Sequence, residues 1–149
     1  MDKKNSQISF SFKGIKVEQF ALLEESYGPT KEEVKLGTEL QFKVEQSNKQ
    51  IGVFASFEFS QAKNAFLKIV VSCHFKIQEE SWISLSKLEE QKITIPKGFL
   101  IHLAMLTVGT SRGVLFAKTE GTVFSKFIIP TVDVTKMILE DVAINVVTG

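Results

Sequence analysis

Apolar and polar residues alternate along much of the first half of the chain. The period of two is clear in Ile8-Ser9-Phe10-Ser11-Phe12 and again in Phe57-Glu58-Phe59. Such alternation is typical of a β-strand that turns one face away from water. The first half is therefore predicted to form a sheet with at least one covered face.

Four apolar segments predict the strands of this sheet. They cover residues 8–23, 40–45, 53–60 and 65–77. Short polar turns join the later segments as a meander, so we expect the strands to be antiparallel. Gly14 interrupts the first segment and predicts a β-bulge. The dense run of Leu67, Ile69, Val70 and Val71 predicts that both faces of the last strand are covered.

After residue 77 the spacing of apolar residues becomes helical. Residues 79–82 are predicted to form a loop and residues 84–91 a short helix. Pro96 suits the first turn of a longer helix. Its apolar stripe comprises Phe99, Leu100, Leu103, Leu106 and Val108.

The end of the chain mixes extended and helical signals. Pro130 disfavours helix immediately before it, so residues 127–130 are predicted to be extended. A short helix is expected near residues 135–139, and the β-branched segment 142–147 is expected to pack or to pair. No linker or repeat divides the 149 residues, which are predicted to form one domain, 1–149.

The composition is rich in phenylalanine and poor in reactive side chains. Thirteen phenylalanines accompany two histidines, one cysteine, one tyrosine and one tryptophan. This balance favours binding over catalysis. The excess phenylalanine could line a groove or a subunit interface, or it could simply fill the core.

Charge and cysteine usage narrow the functional class. A net charge of +1 gives no reason to expect binding to nucleic acid or to an anionic membrane. No apolar run is expected to span a membrane, and no secretory signal is seen at the start. Cys73 has no second cysteine with which to form a disulfide, so a cytoplasmic location is expected.

No arrangement of residues in the sequence predicts a catalytic or metal site. Cys73 and His74 are neighbours on a predicted strand and should point to opposite faces, so they cannot easily form a dyad or chelate one metal ion. We therefore expect no enzyme activity, metal or cofactor. A small-ligand carrier or enzyme would instead require His74, His102 and Arg112 to converge in one cavity.

Several short motifs follow one another along the chain: Phe10-Ser11-Phe12, Glu33-Val34-Lys35-Leu36, Ala65-Phe66-Leu67, Phe75-Lys76-Ile77, Pro96, Ser111-Arg112-Gly113 and Ile129-Pro130-Thr131-Val132-Asp133-Val134. In the order of these motifs the chain resembles the SecB-type protein-export chaperones over nearly its whole length. The resemblance implies an α+β fold in which a four-stranded antiparallel sheet carries one long helix and one or two short helices on one side.

The resemblance also implies a function. SecB-type proteins are homotetramers, built as dimers of dimers, that hold unfolded polypeptides in apolar grooves without ATP and pass them to the SecA translocase motor. The acidic positions through which they dock SecA align here with Gln19, Leu23 and Ile69, none of which is charged. In this respect the chain is nearer to SecB-like chaperones dedicated to toxin–antitoxin pairs, or to divergent relatives.

The leading hypothesis is a SecB-like holdase, and the alternative is an interaction subunit or a chaperone dedicated to one partner, such as an antitoxin. The residues expected to contact a polypeptide client are Phe57, Phe59, Phe75, Trp82, Leu100 and Leu103. The residues expected at an oligomer interface are His102, Leu106, Gly109 and Arg112.

Overall fold

The first half of the chain forms one antiparallel sheet, as the alternation predicts. The computed structural model describes residues 8–28, 33–87 and 90–146. The four strands are β1 (Phe10–Leu22), β2 (Val34–Glu45), β3 (Gln50–Gln61) and β4 (Asn64–Ile77). Their order across the sheet is β1-β4-β3-β2, which leaves β1 and β2 at the two edges.

The two edge strands differ in regularity. The register of β1 on β4 shifts between Phe12 and Gly14, where the sequence predicts a bulge, and again between Val17 and Gln19. The register of β2 on β3 is continuous from Val34 to Glu45. Bulges bend an edge strand and hinder further pairing, so β2 is the edge better suited to accept another strand.

The second half contains one long helix, a short helix and a small second sheet. Helix α1 is Glu79–Leu85, strands β5 and β6 are Ser86–Lys87 and Lys92–Ile95, helix α2 is Lys97–Thr119, and strand β7 is Val142–Asn145. Strands β5, β6 and β7 form a three-stranded sheet in that order. The expected α+β fold is confirmed, and the predicted pairing of the C-terminal segment is confirmed by β7.

Three local predictions in this half are wrong. Residues 79–82 are helical and not a loop, because they open α1. The predicted helix over residues 84–91 does not form, because residues 84–85 end α1, residues 86–87 form β5 and residues 90–91 are a turn, while residues 88–89 lie outside the described residues. The predicted helix near residues 135–139 is only a 3-10 turn, Val134–Lys136.

The core lies between α2 and one face of the four-stranded sheet. Leu100, Leu103, Ala104 and Val108 of α2 are buried, and the helix packs on β3 and β4. The opposite face of β4 carries Val70, Ser72 and His74, and no described helix covers it. The prediction that both faces of β4 are covered is therefore wrong.

Two clusters of aromatic side chains lie at the ends of this core. In one, the rings of Phe66, Phe124 and Phe127 surround Tyr27, with centroid distances of 4.9–5.4 Å. In the other, Phe10 contacts Phe75, Phe99 and His102. Much of the high phenylalanine content is thus explained by packing within one subunit.

Helix α2 qualifies by length and composition as a membrane span, contrary to the expectation that no apolar run would. Within its 23 residues, Lys97–Thr119, an 18-residue window reaches a mean hydropathy of 1.5. Its buried residues nevertheless pack on the sheet, which is the arrangement of a core helix. Packing on the sheet accounts for the buried apolar residues of α2, whereas Met105 and Phe116 are apolar residues of the helix that stay exposed.

Candidate binding groove and exposed apolar faces

The six residues expected to contact a client lie in the hydrophobic core of the subunit. Each is buried: Phe57, Phe59, Phe75, Trp82, Leu100 and Leu103. A side chain with so little exposed surface offers almost nothing to a client that binds this conformation. Their role in client contact stays a prediction, but the structure gives them a packing role, and the surface proposed below is built mainly from other residues.

An apolar groove lies between the edge strand β2 and the segment that leads into β7. Its volume is about 370 Å³. The lining residues are Leu40, Phe42, Leu100, Met137, Ile138, Leu139, Glu140 and Val142. Apart from Glu140 every one of them is apolar, and Leu100 is the one residue shared with the sequence prediction.

The two sides of the groove come from different parts of the sequence. Leu40 and Phe42 lie on the half-buried face of β2, because alternate residues of this strand point toward the core side. Met137 and Leu139 are exposed residues of the opposite side. Sequence reasoning missed Met137 and Leu139, although the uninterrupted run Met137-Ile138-Leu139 is more apolar than a short surface helix requires.

A polar contact closes one end of this region. Gln46, in the hairpin between β2 and β3, donates a hydrogen bond of 2.7 Å from Nε2 to the carbonyl of Asn145 on β7. The large sheet is thereby joined to the small sheet beside the groove.

In the segment that leads into β7, Asp133 accepts hydrogen bonds from the amide and the hydroxyl of Thr135. The bond from the hydroxyl holds the pKa of the Asp133 carboxyl below its ordinary value.

A second apolar surface follows β1 and the outward face of α2. Helix and strand touch at both ends: His102 packs on Phe10, and Lys118 lies over the ring of Phe20 at 5.5 Å. Between these contacts the exposed apolar residues are Phe12, Ile15 and Val17 on β1 and Met105 and Phe116 on α2. We call these five residues the β1–α2 face.

The residues expected at an oligomer interface lie on α2 with differing exposure. His102 and Gly109 are exposed, whereas Leu106 and Arg112 are half-buried. Arg112 is engaged within its own chain, since Nε donates to the Ile129 carbonyl at 2.6 Å and Nη2 to the Pro130 carbonyl at 2.8 Å. The interface itself stays a prediction.

A polar network occupies the outer face of the sheet. The Ser72 hydroxyl donates to the Glu18 carboxylate at 2.6 Å, and His74 Nε2 lies 2.8 Å from the Ser72 hydroxyl oxygen. Because the serine proton goes to Glu18, the imidazole must donate to Ser72 and cannot serve as its base. Ser72 is also fully buried, so this network fixes the bulge of β1 and does not supply a nucleophile.

The residues of the small-ligand alternative do not converge. His74 lies on the outer face of the sheet beside Phe54, His102 packs on Phe10, and Arg112 binds the segment around Pro130. Cys73 points to the other face from His74, as predicted, and burial raises the pKa of its thiol. Within residues 8–28, 33–87 and 90–146 no three His, Cys, Asp or Glu side chains form a potential metal site. The alternative that requires a shared cavity is therefore wrong.

Comparison with known proteins adds to this geometry. No protein-family model matches the sequence, and no curated protein sequence matches it. Among solved structures the chain is similar to the Mycobacterium tuberculosis Rv1957 SecB-like chaperone in complex with a ChAD peptide from the Rv1956 HigA1 antitoxin. The TM-score is 0.53 at 10% sequence identity, over 83% of this chain and 90% of that chain. The chain has a SecB-like fold.

A second solved structure is a protein of unknown function from Streptococcus agalactiae. It has a TM-score of 0.36 at 16% identity, over 86% of this chain and 100% of that chain. This TM-score is too low for the similarity to support a conclusion about the fold.

The SecB-like fold allows the three aligned docking positions to be placed. Gln19 lies on β1 and Leu23 directly follows this strand, and both side chains are exposed. Ile69 is fully buried on the α2 side of β4. A docking side chain must face solvent, so Ile69 cannot serve as a docking residue in this chain. Its neighbours Lys68 and Val70 point to the outer face instead.

Proposed function

We propose that this protein is an ATP-independent chaperone of the holdase type, which binds non-native polypeptide through the groove beside β2. The observation that carries the proposal is an apolar groove next to a regular edge strand within a SecB-like fold. The proposed activity involves no chemical step on the client.

The groove and the edge of β2 provide two complementary kinds of contact. An extended client segment can hydrogen-bond to the outward backbone groups of β2, while its alternate side chains enter the groove. Burying one leucine or phenylalanine side chain contributes about 1.5–3 kcal/mol. Two such anchors, reduced by the entropy of ordering the segment, give the weak and reversible binding that a holdase requires.

A chaperone dedicated to one partner is the second candidate. It is supported by the M. tuberculosis structure, in which a SecB-like chaperone is in complex with a peptide from an antitoxin. The two candidates differ in selectivity, since a dedicated chaperone should bind one sequence strongly and generic unfolded proteins poorly. Both use a polypeptide ligand.

We also propose that the β1–α2 face mediates self-association, with a tetramer as the expected state. Its five exposed apolar residues lie on adjoining elements, and Gly109 and Gly113 would allow close approach of a second helix, because no atom lies within 4 Å of a Cβ added at either position. Docking to SecA and a cytoplasmic location stay predictions.

An aggregation assay tests the holdase proposal. Chemically denatured citrate synthase is diluted into buffer without nucleotide, and light scattering is followed with and without the protein. Suppression of scattering that does not require ATP supports the proposal. Full aggregation of this and other denatured proteins at molar excess of the chain contradicts a general holdase. Tight binding of a single peptide in that situation would favour the dedicated chaperone.

A further inference from the structure

The groove side opposite β2 is formed by a segment tied to α2 at both of its ends. We call residues 129–141 the strap. We propose that Arg112 and Asp141 are positioning residues of the groove, which hold the strap at a fixed distance from β2 and so determine how firmly a client is retained. This inference rests on the proposed function.

Arg112 makes the first tie. Its guanidinium donates to the carbonyls of two consecutive residues, Ile129 and Pro130, at 2.6 Å and 2.8 Å. A planar guanidinium can serve two acceptors at once, whereas a lysine ammonium offers no fixed fork. The arginine thus fixes both the position and the direction of the chain where the strap begins.

Asp141 makes the second tie, at the N-terminal end of the same helix. Its Oδ1 accepts a hydrogen bond of 2.8 Å from the amide of Lys97, the first residue of α2. Pro96 precedes the helix and provides no side-chain cap. Asp141 therefore satisfies one of the free amides at this helix end, and its charge complements the helix dipole.

Between the two ties the strap is held mainly by apolar contacts. Val134 and Ile138 are buried, while Met137 and Leu139 point outward as exposed groove residues. The strap precedes β7 and pairs with no described strand. A segment with few ladder hydrogen bonds can open locally without unfolding of the sheet, and the two polar ties add to the apolar contacts in opposing such opening.

Hydrogen exchange and client dissociation together test the inference. The variants are Arg112→Gln, which removes the fork, and Asp141→Ala, which removes the acceptor. Asp141→Asn is the matched control, because its amide oxygen can still accept from Lys97. The client is fluorescein-labelled, reduced and carboxymethylated α-lactalbumin, which stays unfolded, and its dissociation rate is measured by stopped-flow anisotropy.

The first two variants should exchange strap amides about tenfold faster or more, since a hydrogen bond to a charged group is lost. Amides of β3 and β4 should exchange as in the parent protein. Client dissociation should accelerate at least several-fold in the same two variants. Asp141→Asn, which keeps the acceptor oxygen but loses the charge, should lie between Asp141→Ala and the parent in both measurements.

Two results overturn the inference without touching the proposed function. One is an unchanged exchange rate in the strap of both variants. The other is faster exchange with an unchanged client dissociation rate, which would mean that the strap does not control retention. If the parent protein itself did not bind the labelled client, the proposed chaperone function would be wrong, and this result is distinct from the two above.

Discussion

Phe12 on β1 and Phe75 on β4 are register partners whose rings lie 4.8 Å apart, yet they differ sharply in exposure. Phe75 has no exposed surface, whereas 43% of Phe12 is exposed. The difference arises because α2 packs over β3 and β4 and leaves Phe12, Ile15 and Val17 of β1 exposed. Phe12 thus lies at one end of an apolar surface that the chain does not bury by itself.

Replacement of Phe12 by lysine should disrupt self-association while leaving the subunit folded. A charge placed in an apolar interface must be desolvated without a partner, which disfavours association. Size-exclusion chromatography with light scattering should show a smaller species than the parent protein, and circular dichroism should show a cooperative unfolding transition.

Leu23→Lys is the matched control for this experiment. Leu23 is 47% exposed and lies just beyond β1, outside the five residues of the β1–α2 face. Its replacement should leave the assembly unchanged. Equal masses for the parent protein and Phe12→Lys would exclude this face as the interface.

Replacement of Leu139 by serine should weaken client binding. Leu139 is 69% exposed and lines the groove, so the change removes an apolar contact at little cost to stability. We expect a loss of about 1–3 kcal/mol in the free energy of binding, measured by fluorescence anisotropy with an unfolded client.

Val123→Ser provides a control of equal exposure. Val123 is 68% exposed but does not line the groove. If both variants bind the client as the parent does, the groove is not the binding site. If both lose affinity equally, binding follows general surface hydrophobicity and not this groove.

The strands could be predicted from the sequence, but the residues that line the groove could not. Alternation identifies the face that Phe57 and Phe59 share, and this face is indeed covered. What covers it depends on the path of α2, which no local pattern encodes. The groove depends on residues as distant as Phe42 and Leu139, and such a meeting is fixed only by the tertiary fold.

Errors in the second half have a similar cause. Glu79-Glu80-Ser81-Trp82 is polar enough to indicate a loop, yet it opens α1 because Trp82 packs into the core. Strand β6 is only Lys92–Ile95, and it becomes a strand by pairing with β7, about fifty residues later in the chain. In both cases tertiary contacts override the local preference.

Replacement of Phe57 by alanine should affect stability and not client affinity. Phe57 is fully buried in the core, and removal of such a side chain costs about 3–5 kcal/mol of unfolding free energy. Denaturation in urea should show the loss, and client affinity per folded molecule should match that of the parent. A large loss of affinity with unchanged stability would restore Phe57 to the binding surface.

Cys73 should make the protein less stable at alkaline pH. The thiol lies against the side chains of Thr107 and Thr110 on α2, and burial raises its pKa above the ordinary value of 9.0. At a pH between the thiol pKa of the unfolded chain and the higher thiol pKa of the folded protein, the unfolded chain has lost the thiol proton and the folded protein still retains it. The free energy of unfolding therefore falls as pH rises through this window, by at most about 1.4 kcal/mol per pH unit.

The Cys73→Ala variant isolates this contribution. It is less stable at all pH values because a buried side chain is shortened, but it has no thiol to titrate. Urea denaturation of both proteins from about pH 7 to about pH 10 should show the two free energies of unfolding converging above the ordinary thiol pKa. Parallel curves over this range would mean that the thiolate is as well accommodated in the folded protein as in water, which would contradict the burial of Cys73 beneath α2.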